Sequence, residues 1–137
     1  MHQYDDCIVF LLAKAYQRAH GVMKKRLLSY NVTPIQNLVL EALWLTEGCS
    51  ARELGQLLSL DGATLSGVLD RLSEGGWIIK ETDPSDKRAL RILLTKKGWD
   101  LKDELRQQRR EANEEILTGL TLEERVLLKR LLRDIRE

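Results

Sequence analysis

The sequence has few aromatic residues, few cysteines and no long hydrophobic run. Aromatic residues make up 5% of the chain, and its 43% of hydrophobic residues are mostly Leu, Ile, Val and Ala, which favours a core of packed helices. The longest apolar run, Cys7 to Ala13, is far too short to span a bilayer. Asp5 and Asp6 precede that run where a signal peptide carries basic residues, so the sequence predicts no export signal.

The chain also lacks the residue groupings that metal centres and enzyme sites require. Its two cysteines, Cys7 and Cys49, form no Cys-x-x-Cys pair, so they predict a reducing compartment, the cytoplasm, and no disulfide framework. The two histidines, His2 and His20, stand in no recognisable ligand spacing, and neither a metal nor another cofactor is expected. No set of nucleophile, general base and oxyanion donors is discernible, which argues against an enzyme.

Charge is distributed unevenly along the chain. Residues 7–40 contain five basic residues and no acidic one, whereas residues 41–79 contain two basic and six acidic residues. Residues 80–98 then contain six basic and three acidic residues. The overall net charge of +1 therefore hides a local basic segment, and it is this segment that suggests a polyanionic partner.

Helix starts are legible because small hydroxyl or Asp residues stand just ahead of apolar-periodic runs. At 137 residues, the chain is long enough for one main core. Helices are predicted from about Tyr4 to Ser29, from Thr33 to about Thr46, from Ser50 through Leu58, from Asp61 to Gly75-Gly76, from Thr95 to about Gly119, and from Thr121 onward.

The two short helices in the middle predict a helix-turn-helix, since only Ser59 and Leu60 separate them. Strands are predicted next, at Trp77 to Thr82 and at Ala89 to Leu94, joined by the turn-forming run Asp83-Pro84-Ser85-Asp86. Proline cannot lie in a central strand, so the pair is a hairpin with an exposed tip, the wing. The predicted fold class is mostly α with a small β wing, a winged helix-turn-helix flanked by terminal helices.

The second helix of this motif has a polar outward face suited to the major groove of DNA. Thr64, Ser66 and Arg71 lie off its apolar stripe and are candidate DNA contacts. The alternatives are that both hydroxyls only face solvent and that Arg71 pairs with Asp70 or Glu74.

The wing tip carries the strongest candidate for a DNA contact. Arg88 is expected to enter the minor groove, where the potential is most negative. Lys87 and Arg91 flank it and are expected to contact phosphates. Asp86 is expected to accept a hydrogen bond from Arg88 or the turn backbone and so to hold the guanidinium in place. The alternative for Arg88 is a solvated turn charge.

The terminal helices carry apolar stripes that the small middle of the chain cannot cover. A two-fold partner that buries these stripes is the economical solution, because symmetric dimers dominate among oligomers. The predicted organisation is a single domain, 1–137, in which 1–32 and 99–137 are dimerisation helices and 33–98 form the winged lobe.

Three stretches together resemble one known family. They are TPIQNLVLEAL at 33–43, LGQLLSLDGATLSGVLDRLSEGGWI at 54–78 and DPSDKRALRILLTKKG at 83–98, the last with a D-x-R wing pattern and a Leu-Thr-x-x-Gly helix entry. The chain resembles the multiple-antibiotic-resistance regulator (MarR) family of bacteria and archaea. The resemblance implies a dimeric winged-helix transcription regulator, here expected to repress from a pseudo-palindromic operator, and family DNA contacts map onto Thr64, Ser66 and Arg88. Many members carry a polar residue where this chain has Gly67.

The resemblance also implies a small ligand held between the dimerisation region and the DNA-binding lobes. His20, Met23 and Tyr30, beside the basic cluster 24–26, are candidates to line a pocket for a small anionic aromatic ligand. The alternative is a partly buried His20 and a solvated basic helix surface.

Cys7 does not match the peroxide-sensing branch of the family. In that branch the thiol directly precedes Phe-Leu-Leu, but here Val9 stands in that place and Cys7 lies two residues upstream. Asp5 and Asp6 also disfavour a thiolate, so Cys7 is expected to be structural or incidental.

A competing hypothesis for the whole chain is a winged-helix protein-interaction module without DNA binding. In that case the acidic residues 41–79 would face a basic partner.

Overall fold

The computed structural model describes residues 3–136, which form seven α-helices and one two-stranded antiparallel sheet. The elements are α1 (Ile8–Leu27), α2 (Pro34–Leu45), α3 (Ala51–Leu58), α4 (Gly62–Glu74), β1 (Ile78–Asp83), β2 (Asp86–Leu94), α5 (Lys96–Asp100), α6 (Lys102–Ile116) and α7 (Leu122–Arg136). The mostly helical fold with a β wing is thus confirmed. His2 lies outside the described residues.

The predicted helix starts are confirmed by their capping bonds. Thr33 and Gln36 form a reciprocal capping box, with the Gln36 amide donating to Thr33 Oγ1 at 3.3 Å and the Thr33 amide donating to Gln36 Oε1 at 3.0 Å. Ser50 Oγ accepts from the amide of Glu53 at 3.0 Å to start α3. Thr121 starts α7, and its Oγ1 accepts from the Glu124 amide at 3.2 Å. Local chemistry therefore determines where these helices begin.

Two predicted helices were too long. The first was expected from about Tyr4 to Ser29, but a 3-10 turn covers Gln3–Asp6, the α-helix covers Ile8–Leu27, and a second 3-10 turn follows. The helix expected from Thr95 to about Gly119 is broken at Leu101, which has φ −94° and ψ 3°. Leu101 packs against the core, and no Gly or Pro marks the break in the sequence.

The core of the winged lobe lies between α2, α3, α4 and the wing. Its fully buried large side chains include Leu40, Leu43, Leu54, Leu72 and Ile92. The wing strands pair from Ile78 with Leu94 to Thr82 with Leu90, and the apolar face of the sheet continues this core. Helix α4 and the wing are therefore fixed to one another by shared packing.

Gly98 anchors the junction between the wing and α5, which explains the Leu-Thr-x-x-Gly run. Its amide donates to Thr95 Oγ1 at 3.1 Å, and its carbonyl accepts from Trp44 Nε1 at 3.0 Å. A Cβ at Gly98 would lie 2.6 Å from the carbonyl oxygen of Trp77, so a side chain is excluded unless backbone moves. Helix α6 is thereby attached to the winged lobe through α5.

The terminal helices leave much apolar surface uncovered within the chain. α7 has no buried residue, and Val126, Leu131 and Ile135 are 64%, 42% and 58% exposed. On α1, Ile8 and Val9 are similarly exposed. Within residues 3–136, no helix is both long enough and apolar enough to cross a membrane.

Candidate nucleic-acid interface

Helix α4 presents the polar face that the sequence predicts. Its apolar stripe of Leu65, Val68, Leu69 and Leu72 is buried in the lobe. Thr64, Ser66 and Arg71 lie off this stripe and are all exposed, together with Gly67. A Cβ added at Gly67 would have no neighbouring atom within 4 Å, so this part of the helix surface is open. The structure therefore leaves all three candidate residues accessible. Thr64 and Arg71 are on the same side of the helix, and Ser66 is turned from Thr64 by about 200° around the helix axis.

The N-terminus of α4 is capped by Asp61, whose carboxylate makes two bonds to one residue. Asp61 Oδ1 accepts from the Thr64 amide at 2.7 Å, and Asp61 Oδ2 accepts from the Thr64 hydroxyl at 2.9 Å. These bonds hold the pKa of the Asp61 carboxyl below its usual value, with the backbone bond as the largest cause. The sequence indicates Asp61 only as a helix cap.

Arg71 does not make the ion pairs considered as alternatives for it. Asp70 instead bonds Lys80 of β1, an interaction that ties α4 to the wing. Across residues 3–136, Arg71 takes part in no ion pair, so its guanidinium is available on the α4 face.

At the wing tip, Arg88 projects into solvent and is held at its base by Asp86. The side chain of Arg88 is 93% exposed. Asp86 Oδ1 accepts from the Arg88 amide at 3.0 Å and lies 3.5 Å from Arg88 Nε. The turn itself is fixed by Asp83, whose pKa is lowered chiefly by the hydrogen bond from the Ser85 hydroxyl at 2.7 Å. The tip thus offers an unburied guanidinium on a backbone that Asp86 holds in place.

The two basic residues beside Arg88 are placed differently. Lys87 is exposed on the wing. Arg91 is half-buried and turns toward the loop before α3, where its Nε donates to the carbonyl of Gly48 at 3.4 Å. A bridge between Arg91 and Ser50 also joins the wing to this loop. Arg91 therefore positions the wing, a role that sequence analysis missed because it depends on a distant carbonyl.

Glu47 is a second positioning residue with no sequence signal. Its Oε2 accepts from the Leu94 amide at 2.9 Å and from Trp99 Nε1 at 3.1 Å. It thereby joins the loop after α2 to the end of β2 and to α5.

A groove of about 980 Å³ lies between α1, α2, α6 and α7. His20 and Met23 line this groove, but Tyr30 does not. The Tyr30 hydroxyl instead donates to Glu104 Oε2 at 3.1 Å. The pKa of Tyr30 is raised, first by burial and then by this bond to Glu104. The basic cluster 24–26 is not part of the lining either, since Arg26 pairs with Glu111 at 2.9 Å. The structure thus brings together two of the three candidate pocket residues.

The cations of this groove come from α6 and α7, which the sequence did not indicate. Arg109, Lys129 and Arg133 line it, and Glu41 is the one acidic residue among the described lining residues. Glu41 Oε1 lies 3.1 Å from both Arg106 Nη2 and Arg109 Nη1. The groove therefore carries an excess of positive charge beside an aliphatic and aromatic wall.

The cysteines lie apart from these sites. Cys7 is exposed and precedes α1, and Cys49 is half-buried, with burial raising its pKa. In the described part of the chain, no group of three potential metal ligands is brought together.

An exposed helix after a short turn, followed by an ordered basic hairpin, defines a winged helix-turn-helix protein. The sequence profile of the MarR family matches residues 30–89. NicR of Pseudomonas putida, an HTH-type transcriptional repressor, is 32% identical over 123 residues, covering 90% of this chain and 78% of NicR. The chain belongs to the MarR family.

Two further proteins are similar over most of the chain. TtmR of Methylorubrum extorquens, an HTH-type transcriptional regulator, is 37% identical over 117 residues, which cover 85% of this chain and 57% of TtmR. The solved structure of Bordetella bronchiseptica BpsR, described as regulated in DNA binding by 6-hydroxynicotinic acid, superposes with a TM-score of 0.92. It is 28% identical, and the match covers 100% of this chain and 98% of BpsR. These relatives are named as regulators, not as enzymes.

Proposed function

We propose that the chain is a homodimeric transcriptional regulator, without catalytic activity, that represses by binding a pseudo-palindromic DNA operator in the cytoplasm. One wing-and-helix unit occupies each half-site. The observation that carries the proposal is the common exposure of the polar α4 face and the Arg88 guanidinium on one rigid lobe. Regions 1–32 and 99–137 form the dimer and 33–98 bind DNA, because much of the uncovered apolar surface lies on α1 and α7.

Within this interface, the candidate residues divide into base contacts and phosphate contacts. Thr64, Ser66 and Arg71 face base edges in the major groove, and Arg88 enters the adjacent minor groove. Lys87 contacts a phosphate. Arg91 adds a phosphate contact through its Nη atoms, because its bond to the Gly48 carbonyl engages Nε.

A gel shift and footprint with the upstream region of the protein's own gene test this function. We expect a salt-sensitive complex with a two-fold-symmetric footprint and half-site centres about 10 base pairs apart. A chain that retards no duplex at low salt would instead favour the protein-interaction module.

Replacing Arg88 with Ala is expected to weaken operator binding by about 1–3 kcal/mol for each half-site. This corresponds to a fall in affinity of roughly 5- to 150-fold, because a groove contact is lost while the wing keeps its packing. The measurement is a titration of labelled operator at fixed salt.

Lys87→Ala is the matched control for Arg88→Ala. Since Lys87 is proposed to contact a phosphate only, its loss should lower the slope of log affinity against log salt by about one unit per protomer, hence about two units for the dimer, without changing sequence preference. Wild-type affinity in the Arg88 variant would remove Arg88 from the interface.

The groove between the four helices is proposed to bind a small anionic aromatic ligand that releases DNA. Its excess of cations suits a carboxylate, and His20 and Met23 suit a flat ring. The description of BpsR supports this class of ligand. Adding 6-hydroxynicotinate at constant ionic strength is expected to dissociate the operator complex, whereas its neutral carboxamide should not. Equal effects of both compounds would contradict recognition of the carboxylate.

A further inference from the structure

The hydroxyl hydrogen of Thr64 is already committed within the protein. An ionised carboxylate can only accept hydrogen bonds, so in the 2.9 Å contact between Thr64 Oγ1 and Asp61 Oδ2 the threonine must be the donor. The second carboxylate oxygen accepts the Thr64 backbone amide at 2.7 Å, which fixes the carboxylate against this residue. Thr64 thus turns only oxygen lone pairs and its methyl group outward.

Thr64 differs from Ser66 in that its hydroxyl can act towards DNA only as a hydrogen-bond acceptor. Ser66 is also exposed on α4, but in the described chain its hydroxyl has no hydrogen-bond partner, so it remains free to donate or accept. The first turn of α4, in contrast, presents acceptors from both Thr64 and Asp61. In helix-turn-helix proteins the first residues of the second helix are those that reach base edges.

We infer that Asp61 determines base preference by fixing Thr64 as a hydrogen-bond acceptor, so that the facing base must present an amino group in the major groove. Only adenine, through N6, and cytosine, through N4, carry such a donor there. Guanine and the O4 of thymine present acceptors and would face the lone pairs of Thr64 without a shared hydrogen. The inference rests on the proposed placement of α4 in the major groove.

The substitution Asp61→Asn reverses this polarity while keeping the helix cap. Asn caps helices as well as Asp does, because its Oδ1 can accept the same Thr64 amide. The remaining amide nitrogen can only donate, so it would bond the Thr64 oxygen and leave the hydroxyl hydrogen free for DNA. Thr64 then becomes a donor, and the preferred partner becomes guanine or thymine.

The test is selection from a randomised duplex pool with wild-type dimer and three variants. Wild type is expected to enrich adenine or cytosine, at one symmetric position of each half-site, by roughly 3- to 10-fold over the other bases. Asp61→Asn should move that position to guanine or thymine, and Thr64→Val should abolish the preference there. Glu74→Gln is the control for lost charge, because it makes the same carboxylate-to-amide change elsewhere on α4. Removing this negative charge is expected to act equally on every duplex and to leave the preferred base unchanged.

The outcomes separate this inference from the proposed function. If wild type and Asp61→Asn select the same bases at every position, or if the Thr64-dependent base in the wild-type site is guanine or thymine, Asp61 does not act as proposed. A wild-type protein that enriches no sequence overturns operator recognition itself and this inference with it. Matching thermal unfolding midpoints for wild type and Asp61→Asn confirm that the cap is intact.

Discussion

The double substitution Leu131→Asp with Ile135→Asp is expected to convert the protein into a folded monomer that no longer binds its operator tightly. Both side chains lie on α7, which buries no residue within the chain, and they are 42% and 58% exposed. In the proposed dimer they face the partner's terminal helices, where burying the two new carboxylates of each protomer would be strongly destabilising. Sedimentation equilibrium measures the change in mass directly.

The loss of operator affinity follows from losing the link between two half-site contacts. A dimer binds the second half-site at a high effective concentration, which raises overall affinity by about 10²–10⁴-fold over one lobe alone. The monomer should therefore lose a factor of this size while its helical content stays unchanged.

Leu45→Asp provides the matched control for this substitution. Leu45 is 73% exposed at the end of α2, in the winged lobe, so the same chemical change there should leave the mass of the dimer intact. A double variant that still sediments as a dimer would show that another surface holds the two copies together.

Most acidic residues of 41–79 make contacts inside the protein, which their count in the sequence does not reveal. Counted as charges, they argue against a general affinity for polyanions. Four of the six are engaged inside the protein: Glu41 with α6, Glu47 with β2 and α5, Asp61 with the α4 N-terminus and Asp70 with the wing. These four acids therefore hold α4, the wing, α5 and α6 in place. Within residues 3–136, Arg71 and Lys87 take part in no ion pair, and Arg88 is paired only with Asp86.

The parts of the fold that could be predicted are those specified by local chemistry. Thr33 and Thr121 mark helix starts because their hydroxyls accept amides three residues on, and Pro84 marks the wing tip because it cannot lie in a central strand. The face of α4 could be predicted because its apolar residues recur with helical spacing.

The parts that could not be predicted depend on residues brought together by the fold. The sequence does not show that Arg91 meets Gly48, 43 residues away, or that Tyr30 turns to Glu104 instead of the groove. The cations of the groove come from α6 and α7, far along the chain from His20. Side-chain pairing at such separations requires the relative placement of helices, which periodicity alone does not supply.

Replacing Leu72 with Ala is expected to lower the free energy of unfolding by about 2–5 kcal/mol. Leu72 is fully buried under α4, so truncation removes apolar contacts and leaves a cavity between the recognition helix and the rest of the lobe. Since domains of this size are stable by only about 5–15 kcal/mol, a large part of the total is lost. Urea unfolding followed by circular dichroism measures the difference, at equal protein concentration because dimerisation contributes to stability.

Leu57→Ala makes the same chemical change on the neighbouring helix α3, where the side chain is 60% exposed. Its effect should stay within about 0.5 kcal/mol, as for ordinary surface substitutions. Comparing the two leucine variants tests what holds α4 in the lobe. The alternatives are burial of its apolar stripe, or only the Asp61 cap and the Asp70–Lys80 pair. Equal losses for the two leucines would mean that Leu72 is not packed as the structure shows, and the rigid mounting of the recognition helix would then have to come from its polar contacts.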